Sequence, residues 1–388
     1  MIFNSFWERL TKKKGNTKVD MDKNMDYYNQ AIESNPNDSD AYVRRGLLKI
    51  QSCDTNDAMK DFDTAISLNP DGAAIAYCNR GLLKFKLNDP KGAMADYDKA
   101  IMVNPKYALT YSNRGNLKFA MGDVECAMKD FDRAIELEEG HADAYCGRAN
   151  AKIQLGDREG AMADYDMAIK SNSDYVLAYC NRGKLKAELD DEKGAMKDYD
   201  KAIKLDPKYA LTYCNRGNLK SRMGDINGAM RDYDMAIECD PSDAVSFYCR
   251  GLLKAQMNDN EAATAEFDKA IELNPDFVQA YYSRGIQKFF MNEIENAIKD
   301  IDISIELDPD YVTAYISRGS LKMETNDMIG ALADYNKAIE LDPNNALAYG
   351  NRAKYYQELA ENEEEPIKQE ELTQKAKADE MKAKSLRV

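Results

Sequence analysis

Apolar positions along this chain fall at helical spacing, and they come in paired segments. Between Ile75 and Pro105, Tyr77 and Gly81 share one face of a first segment with Lys84, while Ala93, Tyr97, Ala100 and Ile101 share one face of a second. The pattern predicts a helix from about Ile75 to Leu87 and another from about Pro90 to Val103. Asn88 stands where the first should stop; the matching position elsewhere reads Gly122, Gly156, Asp190, Gly224, Asn258, Asn292 and Asn326, with Cys53 as the exception. Gly, Asn and Asp tolerate the left-handed conformation that closes a helix. The residue after it is Asp54, Asp89, Asp123, Asp157, Asp191, Asp225, Asp259, Glu293 or Asp327. A carboxylate there can accept from the free N–H groups that open the next helix.

The whole unit recurs. Its landmark is Arg-Gly, at Gly46, Gly81, Gly115, Gly183, Gly217, Gly251, Gly285 and Gly319, with Ala149 and Ala353 in the glycine slot of two further copies. The step is 35 residues once and 34 thereafter. A fixed period of this size marks stacked supersecondary units. Glycine inside a helix costs about 1 kcal/mol against alanine, so its return in most copies implies a close helix crossing. A single hairpin buries too little apolar surface to stand alone, and its neighbours supply the core. Residues 106–118 and 208–220 differ only at Ser112 against Cys214, which looks like duplication of a three-unit block. The copy at 278–311 carries Ile301 for the usual aromatic and Ser304 for the usual alanine, and is expected to be a looser joint.

Tyr77, Gly81, Ala93, Tyr97, Ala100 and Pro105 lie at the spacing of the tetratricopeptide repeat, and the chain resembles that family over roughly nine copies. Arg80 and Lys84 depart from it, standing where leucine and tyrosine are frequent. The resemblance implies an all-α fold: a right-handed superhelical solenoid of antiparallel helix pairs, with first helices lining a concave groove where partners bind. The expected organisation is an N-terminal extension over 1–19, a lone array helix within 20–38, and nine full repeats over 39–345. A last repeat helix and a charged capping helix then fill 346–388.

Composition narrows the function. Formal charge is −15, from 53 basic and 68 acidic residues, which argues against general nucleic-acid binding. No apolar run is long enough to cross a bilayer. In the extension, Ile2, Phe3, Phe6, Trp7 and Leu10 precede a lysine-rich stretch. That reads as a tail covering the first repeat or staying disordered, with weak membrane-surface or partner docking as the alternative. Cys78, Cys146, Cys180 and Cys214 share one slot in different copies. Equivalent helices lie about 8–10 Å apart, beyond the roughly 7 Å limit for a disulfide. The cysteines therefore read as reduced, small groove residues in a cytoplasmic protein with no metal or other cofactor, a redox or metal role being the alternative.

Catalysis has little to stand on: His141 is the only histidine, and no phosphate loop or nucleophile–base pairing is present. Arg80 and Lys84 share a helical face, and Asp96 and Asp98 recur on the second helix, which predicts an internal ladder of charges. An anion-binding stripe is the alternative. Helical phase turns Asn79, Asn113, Asn181, Asn215 and Asn351 away from the Tyr–Gly face, toward the groove. Their amides suit the backbone of an extended peptide. Phe85, Phe119, Leu177, Leu211 and Phe289, with Leu109 and Val245, are the candidate apolar pockets beside them. The lysine that begins a chaperone-tail clamp in some family members is missing: that slot reads Val43, Cys78, Ser112, Cys146, Cys180, Cys214, Tyr248, Tyr282, Ile316 and Gly350. The expected function is a non-enzymatic scaffold holding a protein or peptide segment in its groove, with self-association into a structural assembly as the alternative.

Overall fold

The computed structural model describes residues 18–386, with side chains from 22 onward. The expectations for the Met1–Val19 extension lie almost wholly outside the described residues. Those residues form twenty-one helices and no strand, in two compact units that meet in sequence at Pro207 and Lys208. The first unit opens with α1 (Lys18–Ser34). Five helix pairs follow: α2 (Ser39–Gln51) with α3 (Thr55–Leu68), α4 (Ala74–Lys86) with α5 (Pro90–Val103), α6 (Ala108–Ala120) with α7 (Val124–Leu137), α8 (Ala142–Gln154) with α9 (Arg158–Ser171), and α10 (Val176–Glu188) with α11 (Glu192–Leu205). The second unit holds α12 (Ala210–Arg222) with α13 (Ile226–Cys239), α14 (Ala244–Gln256) with α15 (Asn260–Leu273), α16 (Val278–Phe290) with α17 (Ile294–Leu307), α18 (Val312–Glu324) with α19 (Met328–Leu341), and α20 (Ala346–Glu361) with α21 (Pro366–Ser385).

Each hairpin from α2/α3 to α18/α19 turns on the two residues that the sequence singles out. Asn88, Asp190, Asn258, Asn292 and Asn326 take φ of 60–64°, and Gly122, Gly156 and Gly224 take 81–84°. Cys53, the exception in sequence, is no exception in structure: its φ is 63°. The reversal of the chain fixes that conformation, and the thiol sits there without the tolerance of Asn or Gly. The following Asp side chains cap the second helices; Asp89 accepts from Gly92 N at 2.8 Å and Asp191 from Gly194 N at 2.9 Å. Glu293 makes no such cap, its longer side chain turning instead to the Asn296 amide.

The landmark glycine is a steric requirement. A Cβ on Gly81 would lie 2.8 Å from the Tyr97 ring and 3.2 Å from the Ala93 carbonyl. Tyr97, Tyr165 and Tyr199 are fully buried against this crossing, as are Phe62, Phe131 and Phe267 in their copies. The 278–311 copy is filled rather than open. Ile301 and Ser304 are both inaccessible, the Ser304 hydroxyl donates to the Ile301 carbonyl at 2.7 Å, and Tyr282, Phe289 and Tyr311 pack around the smaller side chains.

A charged ladder joins the hairpins within each unit. Arg80 grips Asp96 with two parallel bonds of 2.9 and 2.6 Å, reaches back to Asp63 of the preceding hairpin at 2.7 Å, and lies 5.5 Å over the Tyr77 ring. Lys84 adds a contact to Asp96 at 2.8 Å. Arg114, Arg148 and Arg182 repeat this in the first unit, and Arg284 and Arg318 in the second. An interior rung holds two cations and two anions and is neutral. Asparagine replaces the outlying carboxylate at both ends: Arg45 reaches Asn29 of α1 and Arg352 reaches Asn336. Arg352 finds its buried acid in α21, at Asp379, 27 residues on where the interior rungs use 16. The terminal helix thus fills the place of a second helix in the ladder.

Candidate functional site

The first helices meet along a seam set by the period. The residue two before the landmark touches the residue three before it in the preceding pair, 35 positions away. Asn113 Nδ2 meets Cys78 Sγ at 3.5 Å, and Asn181 Nδ2 meets Cys146 Sγ at 3.9 Å. In the second unit the slots hold Tyr248 with Ser283 at 3.3 Å and Tyr282 with Ser317 at 3.0 Å. Asn79 follows the one 35-residue step and has no such partner. Its amide turns back to the Ile75 carbonyl at 2.8 Å.

This packing decides how far each candidate residue is open. Asn79 and Asn113 are 5% and 4% exposed. Asn181, Asn215 and Asn351 are half-buried, and Asn351 Nδ2 donates to Ser320 Oγ at 3.4 Å. Leu177 is buried, while Leu211 is partly open. Phe85, Phe119 and Phe289 are partly buried flanks of the core between pairs.

Two of the candidates line one cavity. It has a volume of about 220 Å³ in the first unit and is walled by Phe119 of α6, Asn150 and Ile153 of α8, Tyr165 of α9, and Asn181, Lys184, Leu185 and Glu188 of α10. Phe119, Ile153 and Leu185 make it apolar on one side. On the other, the Tyr165 hydroxyl and Asn181 Nδ2 both donate to Asn150 Oδ1, the latter at 3.3 Å. Among the described residues no hydrogen bond engages Asn150 Nδ2 or Asn181 Oδ1. A donor and an acceptor therefore stand beside an apolar wall. Lys184 and Glu188 form the solvent rim, 3.9 Å apart. Burial pushes the Tyr165 phenol well above its ordinary value, so it stays neutral. The cavity offers shape and amide hydrogen bonds, with no activated nucleophile.

Asn150 and Lys184 share a slot that the sequence reading passes over, the residue after the landmark. Its signal was present: Asn116, Asn150 and Asn218 recur there. The slot also serves the core. Asn218 accepts from the Tyr233 hydroxyl at 2.7 Å, as Asn150 does from Tyr165. Leu82 occupies it in the second pair, and there the buried Tyr97 hydroxyl has no partner. A larger cleft, of about 630 Å³, lies between α20 and α21 and is lined mainly by Glu361, Gln369, Glu370, Lys377 and Glu380. It brings together none of the sequence candidates.

Models described as tetratricopeptide repeat match residues 39–71, 74–107, 112–175 and 245–277, and a TPR repeat model matches 191–224 and 319–359. The chain belongs to the tetratricopeptide repeat family. Such repeats are protein–protein interaction scaffolds, generally without catalysis. A human IFIT1 dimer with PPP-AAAA is similar over 99% of this chain and 97% of its own, at 14% identity and a TM-score of 0.62, and shares the fold. YrrB, a TPR protein with an unusual peptide-binding site, is 26% identical over 48% of this chain and 97% of its own, with a TM-score of 0.36. MamA is 27% identical over 42% of this chain and 94% of its own, with a TM-score of 0.38. No curated protein matches the sequence. Among the described residues of this tetratricopeptide repeat chain, no helix is long and apolar enough to cross a membrane.

Proposed function

We propose that this tetratricopeptide repeat protein is a non-enzymatic scaffold that holds an extended protein or peptide segment along its first helices. The cavity between α6, α8 and α10 seats one apolar side chain of that segment. The observation that carries the reading is the juxtaposition of Phe119, Ile153 and Leu185 with the open amide groups of Asn150 and Asn181. An apolar side chain flanked by its own backbone amide presents the matching surface: hydrocarbon, one acceptor and one donor. The partly open Asn215, Leu211, Asn351 and Phe289 of the second unit belong to the same proposal. So does a cytoplasmic location. The acidic balance of the chain favours a protein partner over a nucleic acid.

The test is a phage-displayed library of random dodecapeptides panned against the full chain. Enriched peptides are expected to share an apolar anchor and to bind at least tenfold more weakly to Ile153→Asp with Lys184→Glu, a variant whose helicity is checked by circular dichroism. Enriched peptides that bind this variant as well as the parent overturn the assignment. Self-association is the competing reading, favoured by Ile367 and Met381, which stand 79% and 66% exposed on the terminal helix. Scattering mass that grows with concentration in the absence of a partner supports it.

A further inference from the structure

One step of the seam places two thiols together. In the first unit the slot two before the landmark holds Asn113 or Asn181, so each cysteine of the preceding pair faces an amide. In α14 that slot holds Cys249, and Cys214 of α12 meets its sulfur at 3.7 Å. The same-slot comparison of cysteines misses this contact, because Cys214 is paired in sequence position with Tyr248, one residue away. Both thiols are nearly enclosed, at 2% and 9% exposed.

We infer that Cys214 and Cys249 form a redox site, which a small peroxide converts to an intramolecular disulfide tying α12 to α14. The two helices pack side by side, and the sulfurs already face each other across that contact. Closing the sulfurs from 3.7 Å to about 2.05 Å takes less than 2 Å of movement. The thiol of Cys214 hydrogen-bonds to Cys249. Cys249 is the more accessible of the two, at 9% exposed against 2%, and is the first nucleophile. Its sulfur attacks one peroxide oxygen, the O–O bond breaks, and one water leaves as the sulfenic acid forms. The Cys214 sulfur then displaces the second oxygen as water and the S–S bond closes. With hydrogen peroxide, two thiols are oxidised, one peroxide is reduced, and two waters carry away both thiol protons.

Enclosure sets the selectivity. Cys53 is exposed, so a bulky aromatic disulfide reagent should label it and leave the pair untouched, while hydrogen peroxide reaches the pair. The test uses the full chain carrying Cys239→Ser, because Cys239 and Cys249 share one tryptic peptide. After equimolar hydrogen peroxide, blocking of free thiols and non-reducing digestion, the expected product is a Cys214–Cys249 linked peptide two daltons lighter than its parts. Its formation should be abolished by Cys214→Ser and by Cys249→Ser, each with unchanged circular dichroism. Amide exchange in α12 and α14 should slow at least threefold on oxidation. Recovery of both thiols unlinked while Cys53 is oxidised, linkage of either to another cysteine, or a linked form with unchanged exchange overturns the inference.

Discussion

Arg148→Ala removes one rung of the charged ladder and tests whether the ladder holds the fold. The guanidinium makes bonds of 2.8 and 2.6 Å to Asp164, whose side chain is 5% exposed, and one of 2.7 Å to Asp132, which is 49% exposed. It also lies 5.5 Å over the Tyr145 ring. Breaking a buried ion pair from one side costs about 3–5 kcal/mol, because the remaining charge stays desolvated. Here Lys152 remains 2.8 Å from Asp164, and the vacated space admits water, which puts the loss near the bottom of that range. The contact to half-exposed Asp132 adds about 0.5 kcal/mol, and the ring contact about 0.5–1 kcal/mol. The total is about 4 kcal/mol. Urea unfolding followed by circular dichroism reads it as a lower midpoint. Arg148→Lys keeps the charge without the planar fork and should lose about half as much. Asp132→Asn copies what the array ends already carry at Asn29 and Asn336, and should cost no more than about 0.5 kcal/mol. An Arg148→Ala midpoint within error of the parent would refute the structural ladder and return the arginines to a role in binding anions.

Three further outcomes follow from single residues. Cys53→Asn relieves a left-handed φ of 63° at an exposed position, and should stabilise the chain by about 1 kcal/mol in the same urea assay. Tyr97→Phe removes a buried hydroxyl that has no partner and should leave stability equal or higher, whereas Tyr165→Phe removes one of the two hydrogen bonds that Asn150 Oδ1 accepts and should cost about 1 kcal/mol. Burial pushes the Cys78 thiol from 9.0 up to about 11, against the hydrogen bond from Asn113. The unfolded chain therefore releases this proton first. The contribution is full below pH 9 and is lost as pH rises toward 11, by roughly 2–3 kcal/mol. Cys78→Ala should flatten that part of the pH–stability curve.

The hairpin was legible because each of its requirements falls on one residue. A left-handed stop asks for Asn or Gly, a helix start for Asp, and a close crossing for Gly, and each request recurs at the period. Cys53 shows the limit: the backbone imposes the conformation whether or not the side chain announces it. The ladder was legible from spacing alone, since Arg80, Lys84, Asp96 and Asp98 lie on fixed faces of adjacent helices. Its reach to the preceding hairpin was not, because that contact depends on how pairs stack. The same gap affects the site. Helical phase turned Asn79 and Asn113 away from their own partner helix, but a single helix carries no record of its neighbour. Side-by-side packing of first helices covers those amides and leaves Asn181 more open. The slot after the landmark went unread because Leu82, Asn150 and Lys184 share no chemistry there, although Asn recurs.

That variability separates two kinds of position. The ladder slots hold the same residues in most pairs, with Glu266 for the buried aspartate in one and Asn at the array ends, because the same crossing must be built each time. The seam slots change: Cys with Asn in the first unit, Cys with Cys and then Tyr with Ser in the second. A tyrosine where a cysteine stood brings a ring that needs room, and the second unit makes it. Tyr248 packs against Phe267 and Phe277, with ring centres 5.7 and 4.9 Å away. Tyr282 meets Tyr311 at 5.2 Å and packs over the cluster around Ile301, the copy that lacks its own ring. The loss of an aromatic in one slot is thus matched by a gain in another, so these departures are coupled changes of packing rather than drift. Positions freed from the ladder in this way are where one pair can differ from the next without unfolding it. The first helices carry them, and both the proposed peptide cavity and the thiol pair draw on first-helix residues.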